Sequence, residues 1–216
     1  ARLPGLEQVR FCSSGTEATL HATRAARAFT GRLRIAKAEG AYHGSQDDVF
    51  VSTHPRPDQA GPVDRPASVA RAEGLHRSAL ADTVVFPFND LDATAAVLRE
   101  AGRDLAAVLV EPVMGSAGMI PADPGYLAGV AEVAAEVGAL LVVDEVITLR
   151  LAPGGGQAWA GVEADLSCFG KMLGGGLPLG AFGGRADVLA AFDPTGEAGP
   201  AVGHPGSMNA WAVGLA

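Results

Sequence analysis

Two side chains of opposite charge, Asp144 and Lys171, stand at the ends of apolar runs 27 positions apart in the chain. Val142-Val143-Asp144-Glu145-Val146 places a carboxylate at the end of a buried strand, where an unpaired charge is costly. Asp144 therefore needs a positive partner. A protonated ring nitrogen is one candidate, because an acid that holds that proton lets the ring accept electrons. The plainer alternative is an Asp that caps the following loop. Lys171 follows the apolar run Leu166–Phe169, so both groups would emerge at the same edge of a sheet. A lysine amine partly desolvated beside a cationic ring loses proton affinity and can form a Schiff base. Taken alone, Gly170-Lys171 reads more often as a surface lysine at a turn.

Ser13-Ser14-Gly15-Thr16-Glu17-Ala18 opens a helix with small residues. Successive backbone N–H groups and two or three hydroxyls can surround a phosphate there, at the positive end of the helix dipole; an ordinary Ser/Thr cap is the alternative. Ala41-Tyr42-His43-Gly44 offers an aromatic face that can stack on a planar cofactor, with an imidazole beside it. A core tyrosine next to a hydrogen-bonded histidine would look the same. His21, His54, His76 and His204 lack ligand spacing, so no metal is assigned. Nucleotide motifs fail on inspection. A phosphate-binding loop ending at Gly170-Lys171 needs Gly at 165 and Ser or Thr at 172, where the chain has Asp165 and Met172. A GxGxxG from Gly174 or from Gly154 is broken by Leu179 or Trp159.

The elements that must position these groups are partly readable. Ala18, Ala22, Ala25, Ala26 and Phe29 recur at helical spacing, and Gly31 sits where a helix commonly stops. Residues 33–38 and Thr83–Phe86 read as short strands, and Leu91–Ala101 as a helix closed by Gly102. Residues 106–110 and 139–143 are continuous apolar runs, as expected of parallel strands covered on both faces. Asp123-Pro124 between them reads as a cap with a first-turn proline, opening a helix that runs to Gly138. Such βαβ units leave ligand sites outside the carboxyl ends of the strands. Residues 52–80, rich in Pro, Arg, Asp and His, read as a long surface excursion with one helix around 68–76. Glycines at 154–156, 174–176 and 183–184 give backbone freedom, and no internal repeat is present.

Composition bounds the partners. Of 216 residues, 48% are hydrophobic and 19% charged, the profile of a globular α/β domain. With 16 basic and 24 acidic residues the net charge is -8, a field that repels nucleic acid and anionic membranes and leaves small molecules or protein as partners. Cys12 and Cys168 form neither a disulfide framework nor a zinc site, which points to a reducing, cytoplasmic compartment. No apolar run approaches a membrane span, and the first residues lack the apolar stretch of a signal peptide. A start without Met and an end within the helical pattern of residues 209–216 read as a fragment.

Together, SSGTEA at 13–18, AYHG at 41–44, EPVMG at 111–115, VVDEV at 142–146 and FGKMLGGGLPLGAFGGR at 169–185 resemble the class III aminotransferases, with the glutamate-1-semialdehyde aminomutases as the nearest branch. The resemblance implies the type I fold of pyridoxal-phosphate (PLP) transferases: an α/β large domain with a mostly parallel, largely seven-stranded sheet flanked by helices, and a small domain built from both chain ends. Residues 1–216 would be the large domain only. It further implies that Lys171 carries PLP as a Schiff base, Asp144 pairs with the pyridine nitrogen, and Val146 packs on the ring face opposite Tyr42, with His43 in the same cofactor-binding set. Ser14, Gly15 and Thr16 would hold the phosphate. Ser116 stands near the cofactor where aminomutases usually carry Asn. Gly206-Ser207-Met208-Asn209 is similar to the family segment whose hydroxyl reaches the neighbouring subunit's phosphate, so Ser207 implies a homodimer with shared active sites. The excursion 52–80 is longer than in aminomutases and falls where the family keeps a mobile loop. The implied activity is amino-group transfer on a small amino-acid or amino-aldehyde substrate, as a transaminase or an aminomutase. A non-catalytic fragment that binds PLP weakly, or only associates with other chains, is the alternative.

Overall fold

The computed structural model of the protein describes residues 3–195 and 199–209. Nine strands appear in it: β1 (Gln8–Cys12), β2 (Arg34–Ala38), β3 (Thr83–Phe86), β4 (Leu105–Val110), β5 (Val113–Met114), β6 (Ile120–Pro121), β7 (Leu140–Asp144), β8 (Leu166–Phe169) and β9 (Gly180–Gly184). The helices are α1 (Gly15–Thr30), α2 (Arg77–Asp82), α3 (Leu91–Ala101), α4 (Tyr126–Val137), α5 (Gly155–Trp159) and α6 (Ala186–Leu189).

Seven strands form one sheet in the order β1-β9-β8-β7-β4-β2-β3, and β5 pairs with β6 in a small hairpin. The pairings β8-β7-β4-β2-β3 are all parallel, while β9 runs antiparallel to both β8 and β1. The two central strands are buried at every position, which is why they read as unbroken apolar runs. On one face Ala18, Ala22, Ala25 and Ala26 of α1 pack on Ile35, Leu109, Val142 and Phe182. On the other, Leu98 of α3 and Leu127 and Val130 of α4 pack on Ala36, Val108 and Val143. Helices thus cover both faces of a mostly parallel sheet, as the sequence suggests.

Local chemistry fixes the helix ends. Ser14 caps α1 by accepting a hydrogen bond from Glu17 N at 3.2 Å, and Glu17 reaches back to accept one from Ser13 N at 2.9 Å. Gly31 closes the helix with φ 69°. Two expectations need correction. The Asp123 side chain does not cap α4: a turn in which Tyr126 N donates to Asp123 O carries the chain through left-handed Gly125, and the helix starts at Tyr126. No helix forms over 68–76 either. Val69 and Arg71 exchange hydrogen bonds with Ser52 and Phe50 as a short ladder beside the Val51–Ala70 bridge, which takes the donors a helix would use. The helical turn comes later, at α2. The helical pattern read at 209–216 lies, from residue 210 on, outside the described residues.

Candidate active site

The carboxyl ends of β1, β2, β4, β7 and β8 lie at one edge of the sheet, and a cavity of about 170 Å³ opens there. The β1–α1 turn contributes Ser14, Gly15 and Thr16; the turn after β2 contributes Tyr42, His43 and Gly44; β7 and its continuation contribute Asp144 and Val146; and the turn after β8 contributes Lys171. Eight of the ten candidate residues therefore meet around one space.

Close backbone approach makes this convergence possible. A Cβ on Gly15 would stand 3.0 Å from Val146 Cγ2, and one on Gly170 would stand 3.2 Å from Gly15 Cα and N. The first turn of α1 is thus pressed against the Gly170-Lys171 turn. Ser14, Gly15 and Thr16, at the α1 N-terminus, line the cavity, and a helix N-terminus suits an anion. Gly44 is equally constrained, with φ 102° and a hypothetical Cβ 2.8 Å from Thr16 Oγ1. Thr19 Oγ1 also donates to His43 O at 2.6 Å, so α1 fixes the 43–45 backbone.

Asp144 is buried, and its two oxygens divide their work. Oδ1 accepts from Val146 N at 3.0 Å, and Oδ2 faces His43 Nδ1 at 3.0 Å. A carboxylate only accepts, so the Nδ1 proton belongs on His43. His43 Nε2 is buried without a hydrogen-bond partner among the described residues. The neighbouring acid, Glu145, turns away from the cavity and accepts from Gly156 and Gln157 N at 2.8 Å each at the start of α5. One strand end therefore supplies a site acid and a structural acid at adjacent positions.

Lys171 sits in the left-handed region with φ 44°, unusual for a residue with a side chain. Its side chain is exposed, and no hydrogen bond or ion pair holds it among the described residues. The chain has one other lysine, Lys37, which is 0% exposed and donates to Ala38 O at 3.0 Å and Val51 O at 2.8 Å. Burial pulls the Lys37 ammonium down to about 7, partly offset by Glu111 and Glu39. Lys171 is thus the lysine of this chain that opens on the cavity.

The cavity is also lined by Glu111 and Gly44, which lie in the EPVMG and AYHG motifs without a site role of their own, and by Ile147. Glu111 Oε2 accepts from Tyr42 N at 3.1 Å and Oε1 from Gly115 N at 3.3 Å, joining the Tyr42 turn to the β5–β6 hairpin. Burial pushes its carboxyl above the usual value; His43 pulls it back and Asp144 pushes it further up. Its place right after the apolar strand β4 is the same signal that picked out Asp144. Ser116 is exposed in the hairpin loop and does not line the cavity. Ser207 lies in a separate surface depression beside Ser13, Glu17 and Arg24 on the outer side of the α1 start.

Comparison with known proteins adds the family. The model of the class-III aminotransferases matches residues 1–215. Glutamate-1-semialdehyde 2,1-aminomutase of Symbiobacterium thermophilum is 45% identical, with 99% of this chain and 48% of that protein covered; the enzyme of the same name from Heliobacterium modesticaldum is 42% identical, with 98% and 48% covered. Among solved structures, an omega-transaminase from Sphaerobacter thermophilus superposes with a TM-score of 0.93 at 46% identity, covering 99% of this chain and 48% of that one. A glutamate-1-semialdehyde aminomutase from Pseudomonas aeruginosa, solved in complex with PMP, gives 0.81 at 31% identity, covering 100% and 47%. The chain spans about half the length of the curated relatives it matches. A family model that runs almost end to end, over a sheet edge where an acid, an amine and a helix N-terminus share one cavity, places the chain in the class-III aminotransferase family.

Proposed function

We propose that the protein carrying this chain is a PLP-dependent enzyme that moves an amino group, and that residues 1–216 are its cofactor-binding large domain. The observation that carries the reading is the meeting of Asp144, Lys171 and the Ser14-Gly15-Thr16 helix start on one cavity. The donor set fits the group: a buried acid for a protonated ring nitrogen, a helix N-terminus for a phosphate, Tyr42 and Val146 for a ring, and an unpaired primary amine for an aldehyde.

Asp144, oriented by His43 and by Val146 N, would hold the proton on the ring nitrogen. The Ser14–Thr16 amides and hydroxyls would anchor the phosphate and so fix the ring's orientation. Lys171 would hold the cofactor's aldehyde group through its Nζ, and as a free amine it would serve as the base that takes up and returns the substrate proton. The bound cofactor supplies the electron-accepting ring that makes loss of the substrate proton feasible.

The substrate is a small amino acid or amino aldehyde. Curated relatives named as aminomutases and a solved omega-transaminase of comparable identity support the two outcomes equally. An aminomutase returns the amino group to the neighbouring carbon; a transaminase releases a keto product. We further place the protein in the cytoplasm, because Cys12 and Cys168 are free and buried. Among the described residues no helix is long and apolar enough to cross a membrane. A homodimer in which Ser207 serves the other subunit's cleft completes the reading, since Ser207 lies outside its own. The test is titration with PLP read by visible absorbance, then assay with glutamate-1-semialdehyde against a panel of amino donors, with sizing of the active species. A colourless protein inert toward all of them would leave the non-catalytic alternative.

A further inference from the structure

We propose that Ser52 is a positioning residue of the cleft, tying the returning arm of the excursion that follows it to the turn that carries the aromatic wall, Tyr42. The importance of Tyr42 as a ring wall rests on the function proposed above; the coupling itself rests on hydrogen bonds. Ser52 is buried and held at φ 48°, a backbone region that residues with side chains rarely adopt. All of its polar groups are engaged. Its amide donates to Val69 O at 2.7 Å, its hydroxyl donates to Ala67 O at 2.7 Å, and the same hydroxyl accepts from Val69 N at 2.9 Å. Its carbonyl accepts from Gly40 N at 2.9 Å, on the turn that leads from β2 to Tyr42. The next residue repeats the link, Thr53 Oγ1 donating to Ala41 O at 3.1 Å.

One buried serine therefore ties the returning arm of the excursion, 67–69, to the turn that carries Tyr42. Tyr42 in turn hangs from Glu111 through its own amide. The segment between the two arms, 54–66, is largely exposed and carries His54, Arg56 and Arg65. Positions in a shared hydrogen-bonded network couple when the network has no slack, and a left-handed residue with every polar group bonded has little.

The test uses amide hydrogen exchange on the full-length protein without added PLP, comparing wild type with Ser52→Ala. The expected result is that the Gly40 and Tyr42 amides exchange roughly tenfold faster, together with those of 67–69. Acceleration confined to 67–69, with Gly40 and Tyr42 unchanged, overturns the coupling. Ser52→Gly removes the same hydroxyl while relaxing the backbone, and reads the same outcome if the alanine variant does not fold. With PLP added, the visible circular dichroism of the bound cofactor should fall in the variants, and an unchanged band overturns the effect on the ring wall. A wild type that takes up no PLP counts against the proposed function and leaves the exchange result as the measure of the coupling.

Discussion

Replacing Asp144 by Asn isolates the charge at the heart of the site. The side chain is isosteric, and its two contacts show what survives: the Asn oxygen still accepts from Val146 N, while its amide faces His43 Nδ1, which accepts once the imidazole proton moves to the unpartnered Nε2. The fold exchanges a charge-assisted bond of about 1.5–3 kcal/mol for a neutral one of about 0.5–1.5 kcal/mol, so the loss of stability is about 1 kcal/mol. The same trade at the ring nitrogen weakens PLP binding by roughly tenfold. Turnover suffers more, because the acid is needed most where the ring takes up electrons; the scale of a single preorganised electrostatic contact is on the order of 10²–10³-fold. Thermal denaturation, PLP titration by absorbance and steady-state rates separate the three numbers. Wild-type turnover in Asp144→Asn refutes the pairing of this acid with the ring, and a variant that does not fold refutes the claim that Asn fits the His43 and Val146 contacts.

Two further outcomes follow from the lysines. Lys171→Gly should be more stable than Lys171→Ala by about 1 kcal/mol, because φ 44° suits glycine, while both variants are inactive; equal melting temperatures would remove the strain at this turn. Lys37 ionises near 7 in the folded chain and near 10.5 when exposed, so the unfolded chain binds the extra proton between these values and stability gained from this group rises with pH from about 7 to about 10.5. Lys37→Met abolishes that gain, and the stability of wild type relative to the variant should climb by a few kcal/mol across the window in denaturant titrations; a difference independent of pH contradicts it.

The parts of the fold that the sequence disclosed are those set by burial. Strands β4 and β7 are covered on both faces and therefore uninterrupted, and the logic of strand ends led to Asp144 and Lys171. What escaped is set by close approach and by distant pairing. Strand β9 reads GAFGG, a poor strand by propensity, yet a Cβ on Gly184 would lie 2.0 Å from Asp165 O and one on Gly180 would lie 2.3 Å from Ser14 O. Those glycines are required by neighbours far along the chain, and no local pattern announces them. The His43–Asp144 contact spans 101 positions, and Glu111 meets Tyr42 across 69. The absent helix at 68–76 has the same origin, since its backbone groups are claimed by residues 50–52.

With only two lysines in the chain and one of them sealed in the core, the covalent link to the cofactor can be traced to a single residue. Borohydride reduction of the full-length protein loaded with PLP, followed by peptide mapping, should place the reduced cofactor on Lys171 and remove it in Lys171→Ala. A cofactor label on Lys37, or on a lysine outside residues 1–216, would contradict the site described.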